Sequence, residues 1–470
     1  MKVALLGVGG CGTRLVDQFV RAEHRTGRPV TDGNVLAFHT ESQPLSQTTA
    51  LSTDQHVLLG DTHPAVLRRD SNSPATHTDN PNSSRDPQPQ SEMSVSTSQQ
   101  GTSSNSRTRG YDINEYGVGG DPDVGAQVAK ADRPEIRRAL DKIDETEVAA
   151  TMVVAGLGGG TGAGVGSVLL DELTDIYETA VYTLGVLPAD TESDQRALTA
   201  ARGLRTLVPQ AESTFLVDNN TWCHETDAVA DCYQSINSMT VDRLLSVFGA
   251  GEANTTFESE LRIDPADISR TLAVGGVTTV GRATIEIDSE THGLLARILR
   301  LLGRSSPSGS TPVDAAKIKT LISRAVQSKL TLPCDITSAD RVLLILSGPP
   351  DTISRKGFET GRYLLEDETE TVEVLAGDEP IQNTTELTAT VVLANVTSVP
   401  QIDQLQRRAV VTQDSATTTS ATTSSSPEQT ETGDSVRTQS GKSQPDGDSH
   451  SVEFDFDDVD TASKTTESTE

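Results

Sequence analysis

Four cysteines are all that this 470-residue chain contains, and Cys11, Cys223, Cys232 and Cys334 form no CxxC pair. Their scatter predicts neither a zinc site nor a disulfide framework, as expected in a reducing compartment. Long apolar runs are missing too. None reaches the length a bilayer demands, which argues against membrane insertion. Residues 1–6 pass straight into a strand rather than through a signal-like stretch, so a cytoplasmic protein is expected. Positive charge is the third shortage. Lys and Arg number 38 against 68 Asp and Glu, a formal charge of −30 whose field repels nucleic acid and anionic lipid alike. Arg outnumbers Lys, and an acidic, Lys-poor surface suits high salt, where screening removes the cost of self-repulsion.

What the chain does have is glycine clustered at strand ends, within a length that allows two or three domains. Residues 153–155 read as a buried strand, Gly158-Gly159-Gly160-Thr161-Gly162-Ala163-Gly164 follows, and a helix begins near Val165. Strand, glycine turn and helix aim backbone N–H groups and a helix N-terminus at one point, which suits a phosphate. Glycine lets the backbone close on that phosphate and take positive φ. Thr161 adds a hydroxyl that can donate to a phosphate oxygen or order a metal-bound water. A turn that merely packs a helix against a sheet is the plainer alternative. No Gly-Lys-Ser or Gly-Lys-Thr follows, so this is not a Walker A loop. The arrangement recurs at the strand 3–6, Gly7-Val8-Gly9-Gly10-Cys11-Gly12 and a helix over 13–23. Alone, that copy fits a dinucleotide-binding oxidoreductase equally well.

Further along, strands are predicted at 35–38, 148–155, 179–186, 213–217, 277–288, 341–347 and 387–396. Helices are predicted at 122–131, 133–146, 227–248, 291–302, 313–328 and 352–365, with a flexible segment at 303–311. Glu192 and Arg196 stand four apart after a strand, as an exposed helical ion pair would. Asn219 ends another strand, and Tyr233 and Asn237 share one helical face; a ring that stacks and amides that pair could read a base. Asp264-Pro265-Ala266-Asp267 has the N-cap, N1 and N3 residues of a helix start. Residues 63–110 are rich in Ser, Thr, Asn, Gln, Pro and Asp and residues 412–470 in Ser, Thr, Glu and Asp; neither segment can bury a core, so both are expected to be disordered. Phe454 and Phe456 in the acidic tail read either as a docking motif for a protein partner or as an apolar remnant.

Taken together and in this order, these loops resemble those of the tubulin and FtsZ superfamily of GTPases. Val247-Phe248-Gly249-Ala250-Gly251-Glu252, Leu346-Ser347-Gly348-Pro349-Pro350 and Ala376-Gly377-Asp378-Glu379-Pro380 are similar to CetZ, the tubulin-like group of salt-loving archaea. The resemblance implies an α/β fold. A Rossmann-like GTPase domain (1–226) would be joined by a long central helix (227–248) to a smaller α+β domain (249–411), with a disordered acidic tail. It implies GTP or GDP with Mg²⁺, the phosphates held by Gly9, Gly10, Cys11, Gly12, Arg14, Thr40, Gly119, Gly120, Gly158, Gly159, Gly160, Thr161 and Gly162. Glu192 and Arg196 would hold the ribose, and Asn219, Tyr233 and Asn237 the guanine. Asp264 and Asp267 would enter the site of the next subunit, so that hydrolysis requires head-to-tail self-assembly. The expected role is a cytoskeletal filament acting in cell shape. The alternatives are a cell-division filament or a non-hydrolysing scaffold, since His39 and Arg262 stand where FtsZ has Asn.

Overall fold

Alternation along the strands decides how this chain folds, because successive residues face opposite sides of one sheet. The structure, a computed structural model, describes residues 1–66, 117–223, 229–250, 252, 262–287, 315–327, 330–349, 353, 355–371, 373–382 and 384–423. In chain order these form β1 (Val3–Val8), α1 (Gly9–Thr26), β2 (Val35–His39), α2 (Ser42–Ser46), β3 (His56–Leu58), α3 (Pro122–Ala131) and α4 (Arg133–Leu140). Next come β4 (Ala150–Gly156), α5 (Gly166–Ile176), β5 (Ala180–Leu187), α6 (Asp194–Leu207), β6 (Ser213–Asp218) and α7 (Asn219–Trp222). After these lie α8 (Val229–Phe248), α9 (Pro265–Leu272), β7 (Val277–Glu286) and α10 (Ala315–Gln327). The chain continues through β8 (Ala339–Gly348), α11 (Arg355–Thr369), β9 (Val374–Pro380), β10 (Glu386–Val396) and α12 (Pro400–Thr423).

The strands make one mixed ten-stranded sheet in the order β3-β2-β1-β4-β5-β6-β7-β10-β8-β9. The first seven positions are parallel; β10 runs antiparallel to both β7 and β8, and β9 is parallel to β8. The order 3-2-1-4-5-6 is the doubly wound arrangement, in which ligands bind beyond the carboxyl ends of β1 and β4, where the winding reverses. Both halves of the chain share the sheet, joined where Thr214 and Phe215 pair with Val277 and Thr278.

Each face of the sheet carries its own core. Leu6, Val8, Val153 and Ala155 pack on one side with Leu169 and Leu173 of α5, and further along with Leu344, Ile318 and Leu365. Leu5, Val154, Leu184 and Phe215 pack on the other with Phe19 of α1, Leu244 and Phe248 of α8, Leu272 of α9 and Ile345. Parallel strands buried on both faces explain the unbroken apolar runs at β1 and β4.

Several boundaries differ from expectation. Helix α1 begins at Gly9 and not at residue 13, so the glycines form its first turn. A π-helical turn, Thr161–Val165, precedes α5. Helix α4 stops at Leu140, where the chain breaks into the successive turns Lys142 N–H to Ala139 O and Ile143 N–H to Leu140 O. Two strands were not foreseen: β3 has only three residues, and β9 contains Gly, Asp, Glu and Pro. Helix α12 continues to Thr423, past the point where a structureless tail was expected to begin. Cys223 and Cys232 are joined as a disulfide, contrary to the sequence reading. The fold brings the end of α7 and the first turn of α8 to a Cα–Cα distance of 5.7 Å, a proximity that a separation of 9 residues does not advertise. Most of the 63–110 insertion, the helix predicted at 291–302, the segment 303–311 and the Phe454/Phe456 motif lie outside the described residues.

Candidate functional site

At the carboxyl ends of β1, β4 and β5 lies a cleft of about 630 Å³, a size that suits a small-molecule ligand. Its floor is the strand-to-helix passage from Val8 into α1. Gly9 takes φ +69°, a value that a side chain would strain. Val8 provides no side-chain cap and the first turn of α1 holds no acidic residue, so the helix N-terminus opens toward an anion. Gly9, Gly10, Cys11 and Arg14 line this part of the cleft, whereas Gly12 does not. A Cβ on Gly12 would run into the Val154 carbonyl, so close helix-to-strand packing requires glycine there.

The second wall is the turn after β4. Gly158, Gly159, Gly160, Thr161 and Gly162 all line the cleft, as do Gly119 and Gly120 opposite them. The two loops touch through Gly160, where a Cβ would stand 2.5 Å from the Asp121 nitrogen. Asp121 itself caps α3, accepting from the N–H groups of Asp123 (2.8 Å) and Val124 (3.3 Å). Thr40 also lines the cleft, and its Oγ1 lies 2.9 Å from Thr161 Oγ1. Beside it, His39 Nδ1 accepts from the Glu41 N–H at 2.8 Å, which leaves the ring proton on Nε2. Burial, with Arg14 nearby, pushes the His39 pKa down to about 4, so the ring is neutral. A neutral imidazole with one acceptor engaged has one N–H to offer, as a side-chain amide would.

At the far side, Glu192 on the loop entering α6 and Arg196 in its first turn form an ion pair of 2.6 Å, and both line the cleft. Asn219 and Tyr233 close this end. Arg14 lies over the Tyr233 ring, 5.0 Å from its centroid. Asn219 is buried, and its Oδ1 has no hydrogen-bond partner among the described residues. A buried amide oxygen without a donor is costly, and a ligand N–H would satisfy it. Asn237, one turn beyond Tyr233, is buried but is not among the lining residues. Sequence reasoning had passed over Ser193, Gln195 and Arg202, which also line the cleft. The only signal for them was their place in or just before α6. Among the described residues no cluster of three or more His, Cys, Asp or Glu is placed to hold a metal.

Asp264 and Asp267 lie elsewhere. They form a capping box at the start of α9: Asp264 Oδ1 accepts from Ala266 N–H at 2.8 Å, and Asp264 N–H donates to Asp267 Oδ2 at 3.1 Å. Helix α8 runs from Tyr233 at the cleft to Phe248, whose carbonyl is 2.6 Å from the Met1 nitrogen, at the start of β1. Ser269 of α9 reaches the Met1 sulfur at 3.8 Å. The acidic pair and the cleft therefore flank opposite ends of β1. Among the described residues no helix is long and apolar enough to cross a membrane.

A family model described as the tubulin/FtsZ GTPase domain matches residues 2–227, and one described as the C-terminal domain of tubulin-like CetZ matches 226–411. Tubulin-like protein CetZ1 of Haloferax volcanii is 33% identical over 418 residues, which cover 88% of this chain and 93% of that protein. The solved GDP-bound monomer of that CetZ1 superposes with a TM-score of 0.67 at 30% identity, over 88% of this chain and 100% of the other. CetZ2 of the same organism, solved as a GTPγS-bound protofilament, gives a TM-score of 0.67 at 27% identity over 89% and 100% of the two chains. A doubly wound sheet, glycine loops converging on one cleft and similarity along nearly the whole described chain lead to one conclusion: this protein belongs to the CetZ group of the tubulin/FtsZ family.

Proposed function

We propose that this protein binds GTP in the cleft, assembles head to tail, and hydrolyses GTP only where two subunits meet. The observation that carries the reading is the placement of the cleft and the Asp264/Asp267 pair at opposite ends of β1. Stacking one molecule on another along that direction brings the acids of one onto the nucleotide of the next. Such a contact is heterologous and does not close, so it propagates as a filament. The relatives solved as a GDP-bound monomer and a GTPγS-bound protofilament support the same reading.

Within one subunit, the N–H groups opening α1 and the two glycine loops meet the phosphates, with Arg14 adding positive charge. Glu192 and Arg196 take the ribose, Tyr233 stacks on the base, and Asn219 Oδ1 accepts from the guanine edge. Asn237, buried one turn from Tyr233 on α8, offers its amide toward the same base. Bound Mg²⁺ would compensate phosphate charge. Among the described residues no cluster of three or more His, Cys, Asp or Glu could hold the ion, so Thr40 and Thr161, whose hydroxyls meet at the cleft, are the side chains that would help to hold it. Phosphoryl transfer then needs in-line positioning and an oriented water. The capping box holds both carboxylates at the start of α9, Asp264 accepting from Ala266 N–H and Asp267 from Asp264 N–H, and in the stacked arrangement this pair would orient the water. GDP in place of GTP weakens the contact and permits disassembly. The CetZ-type C-terminal half favours a cytoplasmic filament acting in cell shape over one acting in division.

Asp267→Asn is the informative substitution, because the amide oxygen preserves the cap and only the charge is removed. GTP affinity and filament formation should persist while turnover falls about 100- to 1,000-fold. Normal turnover in filaments of this variant would show that the acid does not complete the site.

A further inference from the structure

Helix α12 lies against the loop that enters α6, and the contact converges on one side chain. Arg408 donates through Nη2 to the Glu192 carbonyl (3.1 Å) and to Asp194 Oδ1 (2.9 Å), and through Nη1 to Asp190 Oδ1 (3.3 Å). Gln404 and Gln401, on the same face of α12, reach Asp190 at 3.2 and 3.5 Å. The loop has two sides. Outward are Asp190 and Asp194, held by α12; inward is the Glu192 carboxylate, which accepts from Ala189 N–H at 2.9 Å and from Arg196 at 2.6 Å beside the cleft. The loop is also tied to the base-reading end, because Asp190 N–H donates to Asn220 Oδ1 at 2.8 Å, next to Asn219.

We propose that Arg408 is a positioning residue for the nucleotide: by clamping the outer side of the 189–194 loop it keeps Glu192 and Arg196 aimed into the cleft. The proposal rests on the cleft being the guanine-nucleotide site. Isolated surface ion pairs contribute little, and Asp194 is 69% exposed. Arg408 differs from such pairs: it is only 20% exposed, and one planar fork spans two carboxylates and a carbonyl. Its effect is preorganisation, since a loop already held in its bound shape loses less freedom when the ligand arrives. Arg408 reaches the lining of the cleft through the Glu192 backbone carbonyl, so its influence belongs in nucleotide retention and not in the chemical step.

The test is the release rate of a fluorescent guanine nucleotide from the full-length protein, kept below the concentration at which it assembles. Arg408→Gln should release nucleotide about tenfold faster, and Arg408→Lys should fall between the two, because an ammonium serves one carboxylate and not the whole fork. The thermal midpoint of the nucleotide-free protein and the turnover of filaments at saturating GTP should match the unaltered chain. Unchanged release from Arg408→Gln would overturn the proposal. So would faster release that comes with a lowered midpoint and no rescue by Lys, which is the pattern of a merely structural contact. If the unaltered protein retains no guanine nucleotide, the assignment of the cleft fails as well; if it retains nucleotide and Arg408→Gln matches it, only the clamp fails.

Discussion

Asn219 Oδ1 is a buried acceptor that finds no donor among the described residues, and this gives a prediction of unusual sign. Asn219→Ala should leave the empty protein as stable as before or slightly more so, because an unsatisfied polar atom disappears. GTP affinity should drop about ten- to a hundredfold, equivalent to ~1.5–3 kcal/mol for a buried hydrogen bond. Calorimetric titration with GTP, alongside a melting curve of the empty protein, reads both; undiminished GTP affinity would remove Asn219 from base recognition. His39 gives a second prediction at this scale. Its pKa in the folded chain lies near 4, below the ordinary value of 6.5, so the unfolded chain binds the extra proton first. Its share of stability is complete above pH 6.5 and is lost as pH falls toward 4, up to about 3 kcal/mol from the shift alone. Denaturation midpoints followed across that window should fall more steeply for the native chain than for His39→Asn, and parallel curves would contradict the assignment.

Elements divide the glycines by job. A Cβ on Gly160 would press on the Asp121 and Gly120 backbone, whereas one on Gly159 has only the Gly156 carbonyl near it, at 3.7 Å. Gly160→Ala should therefore destabilise the fold by about 1–3 kcal/mol, the usual cost of overpacking. Gly159→Ala should stay within about 0.5 kcal/mol of the native chain while weakening nucleotide binding. Chemical denaturation of the two variants checks this, and equal losses would refute the division. The same scale shows what a sequence can display. Apolar runs announced β1, β4, β6 and β10, and Pro122 after Asp121 marked the start of α3. Strand β9 escaped notice because the partners of its polar residues are distant in sequence. Glu379 is buried against Arg28 at 2.9 Å and Ser347 at 2.7 Å, and Gly377 abuts Ile263. The cleft's glycine loops were legible because backbone geometry writes glycine into the chain. Gly12 and Asn237 do not line the cleft, and spacing alone cannot say which way a residue on a helix faces. Arg408 was invisible for the complementary reason: its partners stand 214 to 218 positions away.

Over the whole molecule, one sheet ties both halves together, with the cleft at one end of β1 and the α9 acids at the other. The charge of −30 makes stacking of like molecules repulsive, and salt screens that repulsion. Assembly should therefore strengthen as salt rises toward molar concentrations. The most direct test of the central claim is GTP turnover per subunit, measured in high salt across the concentration at which filaments form. The account predicts turnover near zero in dilute solution, rising to a plateau as filaments take up the protein. A rate per subunit that stays constant through that range, dilute monomers included, would contradict it.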